Sequence, residues 1–191
     1  MKIADKNIKV VMVRQDMAAI PEYRLPDGYS NRFFLPGDER TWLRIQLEAE
    51  SFETISRERF RKTFANGPDQ LPDRQLFLLN PKGQAIGTAT AWFNNNYHGE
   101  SLGQVHWVAL LPEYQGRGLS KPLLSSICSL LQELGHRKSY LITSTRKIAA
   151  INLYLHFGFQ PYIRGPEDES VWNQLEHSLK YKIDKTEARK T

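Results

Sequence analysis

The sequence predicts an α+β protein, a mixed and mainly antiparallel sheet with helices on its faces. Three observations carry this. Residues 75–111 are β-rich runs separated by short turns, two of them bearing glycine. From residue 117 the apolar spacing lengthens to three or four residues, the period of a helix. After Gly135 strand and helix patterns alternate again as far as residue 162. At 191 residues, with no internal repeat or low-complexity block, the chain reads as one domain, 1–191, large enough to bury most of its apolar surface.

The elements follow in order. "IKVVMV" at 8–13 is rich in β-branched residues and predicts a short strand. The proline-bearing "AAIPEYRLPDGY" predicts a loop, and "SNRFFL" a strand stopped by Pro36-Gly37. Asp38 is an N-cap for a helix whose Trp42, Ile45 and Ala49 share a face. Ser56 caps a second helix carrying Phe60 and Phe64, and "NGPDQLPD" is a loop. "RQLFLLN", the turn "PKG" and "QAIGTATAWF" form a hairpin; "NNNYHGES" is a second turn and "LGQVHWVALL" a third strand. Leu119, Leu123, Ile127, Leu130 and Leu134 make one helical stripe that Gly135 closes. "KSYLITS" is a strand, "RKIAAINLYLHF" a helix closed by Gly158, "FQPYI" a closing strand, and 167–179 a last helix.

Composition narrows the class. The net charge of +5, from 26 basic and 21 acidic residues, is modest, and part of it lies in the tail "LKYKIDKTEARKT". No stripe of basic and aromatic residues accompanies it, so nucleic acid is not an expected partner. The start lacks a signal-peptide core, and no run approaches the ~18 apolar residues of a membrane span, so no membrane partner is expected. The single cysteine, Cys128, forms no internal disulfide and no CxxC, and a reducing cytoplasm is the default compartment. The five histidines show no HxxxH or HExxH spacing, so no metal is expected.

The chemistry concentrates at "YQGRGLS", 114–120, where a strand enters a glycine turn and then a helix. Unpaired amides and the positive end of a helix dipole suit phosphate oxygens there, and glycine lets the main chain approach them. Arg117 adds a permanent cation. The stretch fits neither a P-loop nor a GxGxxG dinucleotide motif.

"VALLPEYQGRGLSKPLL" resembles the coenzyme A signature of the GNAT superfamily of acetyltransferases, [QR]xxGx[GA], here Gln115, Gly116, Arg117, Gly118, Leu119 and Ser120. A second family motif is matched by "AINLYLHFGF", with Ala150, Asn152, Tyr154, Gly158 and Phe159 in register. The resemblance covers roughly residues 29–162 as the core, with 1–28 an N-terminal strand and loop and 163–191 a C-terminal helix and basic tail. It implies a GNAT-like sheet with a splayed strand pair, 104–111 and 139–143, at the coenzyme A site. Amides of 115–120 are then expected to hold the pyrophosphate, and main-chain groups of Val108, Ala109 and Leu110 to pair with the pantetheine arm. Asn152 matches a frequent cofactor contact, and Tyr154 a tyrosine that protonates the departing thiolate; an ordinary core aromatic is an equally good account of Tyr154. Ser120 departs from the usual glycine or alanine, and Lys147 from a common asparagine.

The implied activity is acetyl transfer from acetyl-coenzyme A, as cosubstrate, to a primary amine of a small molecule or protein. A non-catalytic acyl-coenzyme A-binding module is the alternative. Direct transfer needs a neutral amine and a group to take its proton. His106 is the first candidate base, being a histidine on the strand that enters the cofactor turn and matching a histidine implicated in arylalkylamine N-acetyltransferases. Glu48 and Glu50 are weaker candidates, and Tyr97 and His98 are candidates for the acceptor pocket. Family members often dimerise, which leaves a homodimer open.

Overall fold

The structure, a computed structural model, describes residues 2–49, 54–65 and 67–184. Its elements are β1 (Lys9–Arg14), β2 (Ser30–Phe33), α1 (Glu39–Ala49), α2 (Arg57–Thr63), α3 (Leu71–Arg74), β3 (Gln75–Leu79), β4 (Ala85–Tyr97), β5 (Glu100–Leu110), α4 (Ser120–Glu133), β6 (Ser139–Ser144), α5 (Ile148–His156), β7 (Gln160–Pro161) and α6 (Pro166–Glu176). The strands are ordered β2-β3-β4-β5-β6-β1-β7, and β2/β3, β3/β4, β1/β6 and β1/β7 pair antiparallel. This is the predicted α+β class.

The chain forms two compact units. One is built from the chain up to Ile20, Asn94–Gly103 and the chain from His136; the other from Pro21–Phe93 and Gln104–Gly135. In the first, β1 lies between β6 and β7, with Lys9 opposite Ser144 and Met12 opposite Pro161. Nothing in the sequence placed "IKVVMV" there. Arg14 locks this unit by donating to the Phe157, Ala18 and Asp16 carbonyls. Gly158 is left-handed at φ 76°, and a Cβ there would collide with Arg14 Nη1. Trp172 and Leu175 bury the inner face of α6.

The second unit has an aromatic core. Trp42, fully buried on α1, meets Phe60, Phe64 and Trp107 with ring centroids at 5.1, 6.1 and 5.2 Å. Ser56 caps α2 as predicted, accepting from Arg59 N at 3.1 Å. Asp38 precedes α1 and accepts from Leu35 N at 2.7 Å and from Arg32 at 2.5 and 2.9 Å. Burial opposes its ionisation, but Arg32 and the Leu35 amide outweigh that and hold its carboxyl below the usual range. On α4 the predicted stripe is inward, with Leu119, Leu123 and Ile127 buried, and Cys128 is buried beside it.

Three boundaries differ from expectation, each for a local reason. "NGPDQLPD" is not simple loop: Pro68 and Pro72 sit in the first turns of a 3₁₀ segment, Pro68–Gln70, and of α3, where a missing N–H costs nothing. "NNNY" continues β4, because the turn needs only His98 and Gly99, at φ 52° and 86°, the left-handed pair of a tight hairpin. "FQPYI" shrinks to the two-residue β7, which ends on Pro161, a residue with no N–H to donate.

Candidate active site

The glycine stretch lies in the second unit, between β5 and α4. A 3₁₀ turn, Pro112–Tyr114, leads from the strand, and Gln115–Gly118 are exposed before the buried anchor Leu119. Gly116 and Gly118 have φ of 72° and 80°, and a Cβ built on either would meet nothing within 4 Å. The main chain is therefore in a conformation that disfavours side chains and has open space beside it. No side chain caps α4, and its first turn carries no acidic residue. Its first amides and positive dipole end remain available to an anion. Arg117 lies over the Tyr114 ring at 5.2 Å, and the Tyr114 hydroxyl accepts from Asn80 Nδ2 at 2.9 Å, which steadies the turn. This donor set fits a pyrophosphate.

β5 is kinked just before the turn. Among the described residues three non-glycines have positive φ: Ala19, His98 and Trp107. Only Trp107, at 50°, stands inside a strand, a conformation costing on the order of 1–3 kcal/mol. Its consequence is visible in the side chains. His106 packs edge-on to Phe64 at 6.2 Å, while Trp107 packs on Trp42 at 5.2 Å, so two consecutive residues face the same helix pair. Regular alternation forbids that. Gln46, buried on α1, donates from Nε2 to the Trp107 carbonyl at 2.9 Å. Gln115 Nε2 donates to the Leu110 carbonyl at 2.9 Å. Val108, Ala109 and Leu110 thus run between two pinned carbonyls. Gly87 lies under this segment, where a Cβ would stand 2.5 Å from Leu110 Cδ2 and 3.0 Å from the Ala109 oxygen.

His106 is half-buried, with Nδ1 3.0 Å from Gln104 Nε2. Burial, and secondarily the Arg59 cation, push its pKa down to about 3. The ring is neutral near pH 7, so it has a lone pair for a proton but a weak hold on it. A stability effect follows. An unfolded histidine titrates at about 6.5, so below that pH the unfolded chain takes up a proton that the fold resists down to about pH 3. Stability is expected to fall as pH drops through this window, by up to about 1.4 kcal/mol per pH unit from this group. Denaturant unfolding of His106→Gln should show a shallower acid slope than wild type, and equal slopes would refute the assignment.

Of the other candidates, Tyr97, His98, Asn152 and Tyr154 lie in the first unit. Tyr154 is buried on α5, edge-on to Phe159 at 6.2 Å. Asn152 is buried too; its Nδ2 donates to the Ile148 carbonyl at 2.9 Å and its Oδ1 accepts from Lys180 N at 2.6 Å. Its side chain therefore ties α5 to the segment after α6. Tyr97 stacks on Tyr140 at 4.2 Å, and burial raises its hydroxyl pKa to about 12, while His98 is an exposed turn residue. Glu48 is exposed, 3.8 Å from Arg44, and Glu50 lies outside the described residues. Among the described residues no group of three or more His, Cys, Asp or Glu side chains is placed to hold a metal, and no helix is long and apolar enough to cross a membrane.

The family model of the acetyltransferase (GNAT) family matches residues 40–159, which include the α1 face, the kinked strand, the glycine turn and α5. The chain belongs to the acetyltransferase (GNAT) family. Its sequence is 32% identical over 147 residues to the mycothiol acetyltransferase of Arthrobacter sp. (strain FB24), covering 74% of this chain and 46% of that protein. The chain spans about half the length of the curated relatives it matches. Among solved structures, the GCN5-related N-acetyltransferase from Sphaerobacter thermophilus shares the fold, with TM-score 0.67 at 22% identity over 80% of this chain and 48% of that one. The NatC complex bound to Gag peptide and CoA is similar in fold at TM-score 0.56 and 16% identity, over 67% of this chain and 82% of that one. Sequence reasoning located the GNAT glycine turn but missed Gln46 and the Trp107 kink. The available signal was a glutamine one turn beyond Trp42 on the apolar face of α1.

Proposed function

We propose that this GNAT chain is an N-acetyltransferase that moves an acetyl group from acetyl-coenzyme A directly to a primary amine of a small molecule or protein. The open left-handed glycine turn leading into an uncapped α4 is the observation that carries this reading. Acetyl-coenzyme A, when bound, supplies the thioester whose acyl carbon the amine attacks. Amides of Gln115, Gly116, Arg117, Gly118, Leu119 and Ser120 bind the pyrophosphate. Main-chain groups of Val108, Ala109 and Leu110 orient the pantetheine arm. His106, held neutral, takes the proton from the attacking amine, directly or through one water. Tyr154 donates a proton to the departing thiolate. Asn152 supplies the cofactor contact that its motif position implies.

The test pairs calorimetric titration of acetyl-coenzyme A with a screen of amines, scored by thiol release and by the mass of the acetylated product. Saturable binding with release is expected, and no binding to wild type would overturn the reading. Binding without release from any amine would favour the non-catalytic acyl-coenzyme A module. For His106→Gln, turnover should fall about 10²–10⁴-fold while acetyl-coenzyme A affinity holds. Unchanged turnover would remove His106 as the base.

A further inference from the structure

We propose that Gln46 is a positioning residue for acetyl-coenzyme A: it holds the left-handed kink at Trp107 and so sets the register in which Val108–Leu110 meet the pantetheine arm. This inference rests on the acetyl-coenzyme A reading above. Three observations support it. Trp107 is a bulky residue at φ 50° inside β5, and such a conformation lasts only where its surroundings over-determine it. Gln46 is a polar side chain only 3% exposed in an otherwise apolar helix face, and its Nε2 is spent on the Trp107 carbonyl. Trp42, one turn before it on α1, packs on the same tryptophan, so one helix face grips both the ring and the backbone of residue 107.

The placement of the second glutamine gives the clamp a purpose. Gln115 Nε2 holds the Leu110 carbonyl, so the segment between the two amide groups is fixed at both ends, with Val108 half-buried and Ala109 buried between them. If the Trp107 peptide flipped back to regular β, every group from Val108 onward would exchange faces, because strand alternation has period two. An extended arm pairing with that backbone would then lose its partners. The nucleotide phosphates, bound at the glycine turn, would lose nothing.

That difference supplies the test. The wild-type chain, Gln46→Leu and Gln46→Glu are titrated calorimetrically with acetyl-coenzyme A and with adenosine 3′,5′-bisphosphate, which lacks the arm. Gln46→Leu is expected to weaken acetyl-coenzyme A binding at least tenfold and to leave bisphosphate affinity within about twofold. In Gln46→Glu the protonated carboxyl can donate to the Trp107 carbonyl and the ionised one cannot. Its acetyl-coenzyme A affinity, relative to wild type at the same pH, should be near normal at pH 5.5 and fall at pH 9. Wild-type acetyl-coenzyme A affinity in Gln46→Leu, or equal loss of both ligands, overturns the inference. Should Gln46→Leu fail to fold, a flat relative affinity of Gln46→Glu across the two pH values overturns it. A wild type that binds no acetyl-coenzyme A refutes the functional reading itself, whereas a binding wild type with an unaffected Gln46→Leu refutes only the role of Gln46.

Discussion

Gly118→Val is expected to lower acetyl-coenzyme A affinity at least about a hundredfold while far-UV circular dichroism stays unchanged. Two costs combine. A valine at φ 80° is strained by on the order of 1–3 kcal/mol, and relieving the strain rotates amides away from the phosphate. Each lost charge-assisted hydrogen bond costs about 1.5–3 kcal/mol more. The space beside Gly118 is open, so nothing in the folded protein itself is struck and the loss should appear in binding. Gly83→Val is the matched control: Gly83 has φ 74° and similarly open surroundings, but it lies in the β3–β4 turn. It should lose stability and keep its affinity. Equal binding by Gly118→Val and wild type would show that the turn does not hold the cofactor.

The largest stability loss should come from Trp42→Ala. This side chain is fully buried and contacts three aromatic rings, so truncation leaves a cavity bounded by Phe60, Phe64 and Trp107. About 3–5 kcal/mol is expected, a large part of the margin of a domain this size. Trp42→Phe should lose less. Urea unfolding measures both, and a loss under about 1.5 kcal/mol for the alanine variant would mean that the core closes over the gap.

What the sequence made legible depended on how local the physics is. The first hairpin, the Ser56 cap and the α4 stripe follow from neighbouring residues, and they appear where the spacing put them. The glycine turn was legible for the same reason: strand, turn and helix are contiguous. Gln46 and Trp107 were not, because the hydrogen bond joins residues 61 positions apart and the kink has no composition of its own. Asn152 shows the same difficulty. Its motif position suggests a ligand contact, and nothing nearby announces that its oxygen also accepts from the amide of Lys180, 28 residues away. The position of β1 in the sheet belongs to the same non-local class.

That position governs how the chain is made. β1 is synthesised before both its neighbours, β6 and β7, which follow roughly 130 or more residues later. Val10, Met12 and Val13, all buried in the finished sheet, therefore emerge from the ribosome long before their partners exist. During translation this β-branched run is an unpaired template open to other chains. Lys9 and Arg14 bracket it, placing at each end a charge of the kind that discourages pairing with other chains.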